Sequence, residues 1–335
     1  MAKTRVLLLG SGGIGTIAAL NLECGNQAEV TAVLRSNFPT VIDRGFEIIS
    51  CDHGHLHNWR PTHVVNAVPE VTHSSDVAPF DYIVCTTKNV PDIGPSVCDI
   101  IAPAVSPGRT VIVLIQNGLN IEKPFATRFP HNILLSGISR NDAHEIAPGV
   151  IEQIDHDKLQ IGAFGDPSQD PATQIEAAVQ FVQMYSAGGK TKCYHEPNVQ
   201  RERWSKLVYN AAFNPISALT GLSTGDLQNA GNALDGLLIP AMNEVLTVAH
   251  AAGVDLPHDT IATTLERNPP QRKIYPSMQK DVTKGNFLEH EVIIGEVVRE
   301  AQRRGIATPI LSTLYHLCAC VQWRTQQTKS ATIRN

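Results

Sequence analysis

Three polar residues recur at intervals of four in the stretch Trp204–Pro215, which reads WSKLVYNAAFNP. Lys206, Asn210 and Asn214 would lie along one face of a helix, because residues four apart are neighbours on a helical surface. An amine and two amides in an apolar setting are costly unless they are paired or bind something. A protonated amine can stabilise and protonate an oxygen that becomes negative during a reaction. The spacing alone fits a solvated polar stripe equally well.

A glycine-rich segment near the start has the spacing of a dinucleotide phosphate loop. Gly10–Gly15 reads GSGGIG and fits G-x-G-x-x-G, between a strand-like run at 5–9 and a helical pattern at 14–22. The first glycine permits the tight turn, the second lets the backbone approach a pyrophosphate, and the third allows close packing of helix on strand. This context predicts dinucleotide binding rather than a glycine turn that binds nothing.

The residues about 20 positions beyond the loop indicate which dinucleotide. NAD enzymes place an acidic side chain there, whereas an arginine accommodates the 2′-phosphate of NADP. The chain has Arg35, Ser36 and Asn37 at this place and no carboxylate. Arg35 can offer a planar charged fork and Ser36 a hydroxyl to a phosphate. We therefore expect NADPH, against the simpler interpretation of a solvated arginine at a strand end.

Two further polar segments close strand-like runs, Thr86–Lys88 after YIVC and Gln116–Gly118 after VIVLI. Ligands in doubly wound sheets bind outside the carboxyl ends of the strands, so both segments should face the same crevice. Lys88 and Asn117 are therefore candidates for contacts to nicotinamide, ribose or substrate, although either alone is more often an ordinary loop residue.

The order of these motifs, followed by S-M-x-x-D at 277–281, resembles the ketopantoate reductase family from about Arg5 to Pro309. The lysine–asparagine helix and S-M-x-x-D are the most specific parts, because many dehydrogenases share the glycine loop. The resemblance implies NADPH-dependent reduction of 2-dehydropantoate to (R)-pantoate, a cytoplasmic step of pantothenate biosynthesis. It also implies a cleft between a Rossmann domain and an all-helical domain.

The resemblance implies residue roles as well. Lys206 matches the catalytic lysine, which would act as general acid, and Glu289 falls where the family keeps its second catalytic residue. Asn210 and Asn214 match substrate-binding amides, and Ser277 matches the hydroxyl that contacts the substrate carboxylate. The expected cofactor-binding residues are Gly10, Ser11, Gly12, Gly13, Ile14, Gly15, Arg35, Lys88 and Asn117.

The chain departs from the family pattern near this second catalytic residue. After Glu289 the family usually reads close to E-x-D-x-x-N-G, but here Glu291 replaces the aspartate and Ile294 the asparagine. Tyr275 and Pro276 precede Ser277, where small or polar residues are common. These departures lie near the substrate end, so we expect them to affect substrate identity more than reaction type.

The elements that would position these residues follow an α/β pattern and then a helical one. Strands are predicted at 5–9, 29–34, 82–86, 110–115, 133–136 and 158–162, with helical stretches between them, which indicates a doubly wound sheet. From 198 to about 322 the pattern is helical. We expect a Rossmann domain over 1–195 and an all-α domain over 196–335, similar to the C-terminal domain of 6-phosphogluconate dehydrogenases.

The composition is that of an ordinary globular protein. The 335 residues are 42% hydrophobic and 18% charged, and the net charge of −5 gives no reason to expect nucleic acid or an anionic membrane as partner. No apolar run reaches the roughly 20 residues of a membrane helix. The seven cysteines are scattered without a C-x-x-C pair, which is typical of reduced thiols in a cytosol-like compartment. A homodimer is possible.

A metal site is the weakest of the candidate sites. His53, His55 and His57 alternate and would share one face of a strand. No carboxylate or cysteine nearby clearly completes a ligand set, so we expect a solvated loop and no bound metal.

Two other functions remain open. The first is a D-2-hydroxyacid dehydrogenase or ketoreductase with the same fold that acts on another branched or aromatic 2-oxo acid. The change at Ile294 makes such a different substrate credible. A non-catalytic NADPH-sensing regulatory protein is the other, but it has little need of the proton donor that Lys206 and Glu289 would provide.

Overall fold

The computed structural model describes residues 2–71 and 78–334 and divides into two compact units. Met1–Lys88, Pro95–Gln116 and Ile121–Val199 form the first unit, and Asn89–Gly94, Asn117–Asn120 and Gln200–Asn335 form the second. The second unit therefore contains two short segments from the first part of the chain, Asn89–Gly94 and Asn117–Asn120, together with the residues after 199. The boundary after residue 195 stays a prediction.

Within its described residues the first unit contains two sheets and five helices. Its strands are β1 (Thr4–Leu9), β2 (Ala28–Val33), β3 (Phe46–Ser50), β4 (Gly54–Trp59), β5 (His63–Val65), β6 (Tyr82–Cys85), β7 (Val111–Leu114), β8 (Leu134–Ser139), β9 (Ala143–Ala147), β10 (Val150–Gln153), β11 (Lys158–Ala163) and β12 (Lys192–His195). Its helices are α1 (Gly13–Cys24), α2 (Phe38–Arg44), α3 (Val97–Ile101), α4 (Lys123–Arg128) and α5 (Pro171–Ser186), with a 3₁₀ turn at Ala102–Ala104.

The main sheet has the order β12-β11-β8-β7-β6-β1-β2-β5, and only β8 and β11 pair antiparallel. The chain leaves the central β1 to form β2 on one side and later returns to form β6 on the other. The predicted doubly wound sheet is therefore confirmed. Its central strands are buried on both faces, as the continuous apolar runs indicated; Leu7 and Leu8 are both fully buried.

A second sheet of order β4-β3-β10-β9 was not predicted. Its inward residues Phe46, Ile48 and Ile151 join the hydrophobic core that α1 and α5 share with the main sheet. The solvated loop expected at the alternating histidines is wrong from residue 54 onward, because His55 and His57 lie within β4. The strands of this sheet are short and have polar outward residues, so their sequence signal is weak. Each strand gains its stability from pairing and from the burial of one face.

The second unit is helical. Its helices are α6 (Val199–Thr220, beginning on the last residue of the first unit), α7 (Thr224–Asn229), α8 (Ile239–Ala251), α9 (Thr260–Arg267), α10 (Ser277–Thr283), α11 (Glu296–Arg303) and α12 (Pro309–Arg334), with π turns at Leu234–Leu238 and Glu291–Gly295. No strand occurs within residues 200–334, as the pattern predicted. Among the described residues no helix is both long and apolar enough to cross a membrane.

Candidate active site

The glycine loop between β1 and α1 has the backbone that its motif predicts. Gly10 has φ +101°, and a Cβ there would lie 2.7 Å from the backbone nitrogen of Thr87. A Cβ on Gly15 would lie 1.8 Å from the carbonyl oxygen of Gly10, so α1 packs directly on the loop. Thr86 reinforces the turn because its hydroxyl donates to the Gly10 carbonyl at 2.6 Å. Both positions therefore require glycine for packing.

Gly12 differs from these two glycines, whereas Gly13 is as closely packed as they are. A Cβ on Gly12 would meet nothing within 4 Å, whereas one on Gly13 would lie 2.1 Å from the carbonyl oxygen of Ala143 in β9. Gly12 is the N-cap of α1, and no side chain caps this helix. The first N–H groups of a helix attract anions, so open space beside an uncapped N-terminus fits a pyrophosphate. The residues present here thus fit a dinucleotide.

The arginine two residues after β2 is exposed. Arg35 and Ser36 are accessible, but Asn37 is buried. The Asn37 amide donates to the carbonyl oxygen of Ser11 at 3.0 Å and to Glu145 at 3.2 Å. Asn37 therefore fixes the glycine loop. Sequence reasoning missed this role, because the partner Glu145 lies more than a hundred residues away.

The ends of β6 and β7 meet, as the sequence predicted for neighbouring parallel strands. The Gln116 amide donates to the carbonyl oxygen of Thr87 at 2.7 Å. Lys88 follows Thr87 and is exposed, in the loop after β6. The bond from Gln116 and a second one, from the same amide to the Thr87 hydroxyl at 3.2 Å, hold the two loops together at the carboxyl edge of the sheet, where bound ligands are usual.

The segment Asn117–Asn120 is fixed within the second unit. Buried Arg203 donates to the carbonyl oxygen of Gly118 at 2.8 Å, and the N–H of Leu119 donates to the carbonyl of Val292 at 2.8 Å. Gly118 has φ +105°, and a Cβ there would lie 2.6 Å from the Cβ of Val292. The segment therefore presents Asn117 at a position set by α6 and by the π turn. Sequence reasoning did not identify Arg203.

Lys206 and Asn117 are in direct contact. The Lys206 Nζ donates to the Asn117 Oδ1 at 2.7 Å, in a partly buried setting. Asn210 and Asn214 follow on α6 and are buried, so the solvated stripe is wrong for these two amides. The Asn214 Oδ1 is buried, and no described residue donates to it. The geometry joins an ammonium to an amide oxygen on a helix whose next polar groups are shielded from water.

Glu289 is 4% exposed and lies two residues before the π turn. Its Oε1 accepts the backbone N–H of Asn89 at 2.9 Å. Asn89 follows Lys88, so Glu289 anchors the loop after β6 within the second unit. Ser277 is the first residue of α10 and is exposed, as is Tyr275 two residues earlier.

Comparison with known proteins decides the family. The family model described as ketopantoate reductase PanE/ApbA matches residues 6–166, and the model of its C-terminal domain matches residues 198–322. The chain belongs to the ketopantoate reductase family. The resemblance inferred from the motifs is thereby confirmed.

Individual relatives cover almost the whole chain. The uncharacterized protein YDL144C of Saccharomyces cerevisiae is 38% identical to this chain, and the alignment covers 97% of this chain and 96% of the yeast protein. The crystal structure of 2-dehydropantoate 2-reductase from Methylococcus capsulatus is 30% identical with a TM-score of 0.81, covering 96% of this chain and 97% of that one. A D-mandelate dehydrogenase solved with NADH and anilino(oxo)acetate also has a TM-score of 0.81, with coverage of 96% and 100%, but its 18% identity shows the fold alone.

The two departures from the reductase pattern lie in well-defined surroundings. Ile294 is fully buried and belongs to the π turn at Glu291–Gly295. Glu291 accepts hydrogen bonds from Arg299 and Tyr315, both at 2.8 Å. Burial alone would raise the pKa of Glu291, but the bonds from Tyr315 and Arg299 outweigh it and lower the pKa. Both residues belong to the π turn, and their effect on substrate identity stays a prediction.

Proposed function

We propose that this reductase catalyses NADPH-dependent reduction of a 2-oxo acid, with 2-dehydropantoate as substrate and (R)-pantoate as product. The observation that carries the proposal is the ammonium of Lys206, held at 2.7 Å by the Asn117 Oδ1 and followed on α6 by two buried amides. The pathway would be pantothenate biosynthesis. A homodimer stays a prediction.

Three features support NADPH as the cofactor. The α1 N-terminus is uncapped, Gly12 borders open space, and exposed Arg35 and Ser36 follow β2 where a ribose 2′-phosphate would lie. NADPH, when bound, supplies the hydride. The D-mandelate dehydrogenase that shares the fold was solved with NADH, so the arginine is the feature that favours NADPH here.

Lys206 would serve as the proton donor. Its ammonium would hydrogen-bond the substrate carbonyl oxygen, stabilise the alkoxide formed on reduction, and then protonate it. Asn117 accepts one N–H of the ammonium and so directs the remaining donors. Glu289 would act by fixing the loop that carries Lys88, because its carboxylate already accepts the Asn89 N–H.

The second unit also offers the groups that a 2-oxo acid needs. Exposed Ser277, at the start of α10, would donate to the substrate carboxylate, and Asn210 and Asn214 would bind the rest of the molecule. A buried amide oxygen without a partner costs roughly 1–3 kcal/mol, so Asn214 gains most from a ligand that donates a hydrogen bond. 2-Dehydropantoate carries a terminal hydroxyl that can do so.

A second candidate substrate is another branched or aromatic 2-oxo acid, favoured by exposed Tyr275 two residues before Ser277. A panel of 2-dehydropantoate, 2-oxoisovalerate and phenylpyruvate, each with NADPH and NADH, separates the candidates by kcat/KM. We expect 2-dehydropantoate to exceed 2-oxoisovalerate by about tenfold or more, because the latter lacks the hydroxyl. A preference for phenylpyruvate would contradict the assignment. Tight NADPH binding without turnover on any of them would indicate a sensor.

Replacing Gly12 by alanine should weaken NADPH binding without loss of stability. The added methyl group meets no protein atom within 4 Å, but it occupies space in front of the α1 N-terminus. Loss of close backbone bonds to a pyrophosphate should weaken binding by about tenfold or more. Calorimetric titration with NADPH and a thermal melt measure the two properties.

Gly15→Ala is the contrasting variant, since its Cβ would lie 1.8 Å from the Gly10 carbonyl oxygen and should lower the melting temperature. Unaltered NADPH affinity in a folded Gly12→Ala protein would place the cofactor elsewhere.

Replacing Arg35 by alanine should reduce the preference for NADPH over NADH. The exposed guanidinium has the geometry for a charged bond to the 2′-phosphate, which NADH lacks. We expect KM for NADPH to rise about tenfold while KM for NADH stays nearly constant. Arg109→Ala, which removes an exposed arginine from the loop before β7, is the control. An equal change for both cofactors would refute the role of Arg35.

A further inference from the structure

The outward face of the second sheet carries two histidines and a glutamate that the reductase function does not use. In β4 the side chains alternate, so Leu56 packs against the core while His55 and His57 remain exposed. In β3, which pairs antiparallel with β4, Ile48 is buried and Glu47 lies on the outward face. The glutamate thus supplies the carboxylate that the sequence alone did not show beside the histidines.

The donor atoms of these three residues converge. The His55 Nε2 lies 3.0 Å and the His57 Nδ1 4.0 Å from the same oxygen of Glu47, and the three donor atoms all lie within 4.8 Å of one another. In a tetrahedral zinc site with bonds of about 2.1 Å, neighbouring ligand atoms are about 3.4 Å apart. The observed separations bracket that value, so small side-chain rotations would complete the geometry.

We propose that Glu47, His55 and His57 bind one zinc ion, with water in the remaining coordination position. Two imidazoles and one carboxylate form a ligand set that zinc accepts, whereas magnesium and calcium require oxygen ligands. The two rings lie 4.0 Å apart between centroids, where two protonated imidazoles would repel each other. One cation can bind both rings in their neutral form without such repulsion. It would also link β4, a strand at the edge of its sheet, to β3.

A neighbouring group, Cys51 with Asp52 and His156, is the rival site in the same unit. Its carboxylate is already engaged, because one oxygen of Asp52 pairs with His156 and the other accepts bonds from the Gln153 amide and the Asp157 N–H. A cation there would have to displace several of these bonds. The cluster of Glu47, His55 and His57 is exposed and needs no such displacement.

The test is zinc titration of the full-length protein after chelator treatment, in competition with a chromogenic zinc chelator. We expect one zinc ion per chain, and an affinity lower by about tenfold or more in each of His55→Ala, His57→Ala and Glu47→Gln. His63→Ala removes an exposed histidine of β5 in the same unit and should leave the affinity unchanged, as should His156→Ala. Magnesium should not compete.

X-ray absorption of the zinc-loaded protein gives a readout that does not depend on variants. Scattering from imidazole and oxygen without sulfur supports the site at Glu47, His55 and His57. Sulfur scattering would assign the metal to the group that contains Cys51 and would overturn the proposal. Loss of zinc binding in His156→Ala would do the same. Zinc affinity in His55→Ala and His57→Ala equal to that of the unaltered protein would overturn the proposal too, as would no zinc binding by the unaltered protein. Zinc should also raise the melting temperature of the unaltered protein and not that of His57→Ala.

Discussion

Lys206→Ala should lower kcat for 2-dehydropantoate by about 10²-fold or more, because it removes the one donor proposed to meet the developing alkoxide. The amine is partly buried and directed by Asn117, so water cannot readily replace it as an oriented acid. NADPH affinity should change little, since the glycine loop and Arg35 belong to the first unit. Steady-state NADPH oxidation with calorimetric NADPH binding measures both.

Two further variants make this result specific. Lys206→Met keeps most of the length of the side chain but removes its charge, and it should be as inactive as the alanine variant. That result would exclude a packing defect as the cause of the lost activity. Lys329→Ala removes an exposed lysine of α12 and should retain full turnover. If Lys206→Ala kept its kcat, the general-acid assignment would be wrong, whatever substrate the enzyme prefers.

The main sheet and the helical unit were predictable because their patterns are local. β1 is a continuous apolar run, α1 follows a glycine motif, and Lys206, Asn210 and Asn214 repeat at the helical period. The second sheet was not predictable by the same rules. β3 pairs with β10, about a hundred residues later, and β9 and β4 are short strands with polar outward residues. Their stability comes from partners that no short window contains.

The candidate site divides in the same way. Sequence identified Lys206 and Asn117 separately, by helical period and by strand end, but could not pair residues 89 positions apart. It missed Arg203 because a buried arginine in the first turns of an amphipathic helix resembles a surface residue until its partner, the Gly118 carbonyl, is known. It also placed His55 and His57 in a loop, because their position beside Glu47 depends on the pairing of β4 with β3.

Gly118→Ala should cost the second unit about 3 kcal/mol or more of its free energy of unfolding. The residue has φ +105°, which an L side chain rarely adopts, and the new Cβ would lie 2.6 Å from the Cβ and 2.8 Å from the carbonyl oxygen of Val292. Strain and overpacking each cost roughly 1–3 kcal/mol. The loss of stability is measured as a lower melting temperature in a thermal melt that monitors the helical signal of the second unit.

Gly253→Ala is the matched control, because Gly253 also has a positive φ, +80°, in the second unit, but a Cβ there meets nothing within 4 Å. It should cost only about 1–2 kcal/mol, the strain of the backbone alone. The folded fraction of Gly118→Ala should in addition have a reduced kcat, because the segment that aims Asn117 at Lys206 is held by the Gly118 carbonyl and the Leu119 N–H. Gly253 is remote from those bonds in the chain, so its variant should turn over normally. Equal melting temperatures for the two variants would show that the contact with Val292 relaxes freely, and the π turn would then not be what fixes Asn117.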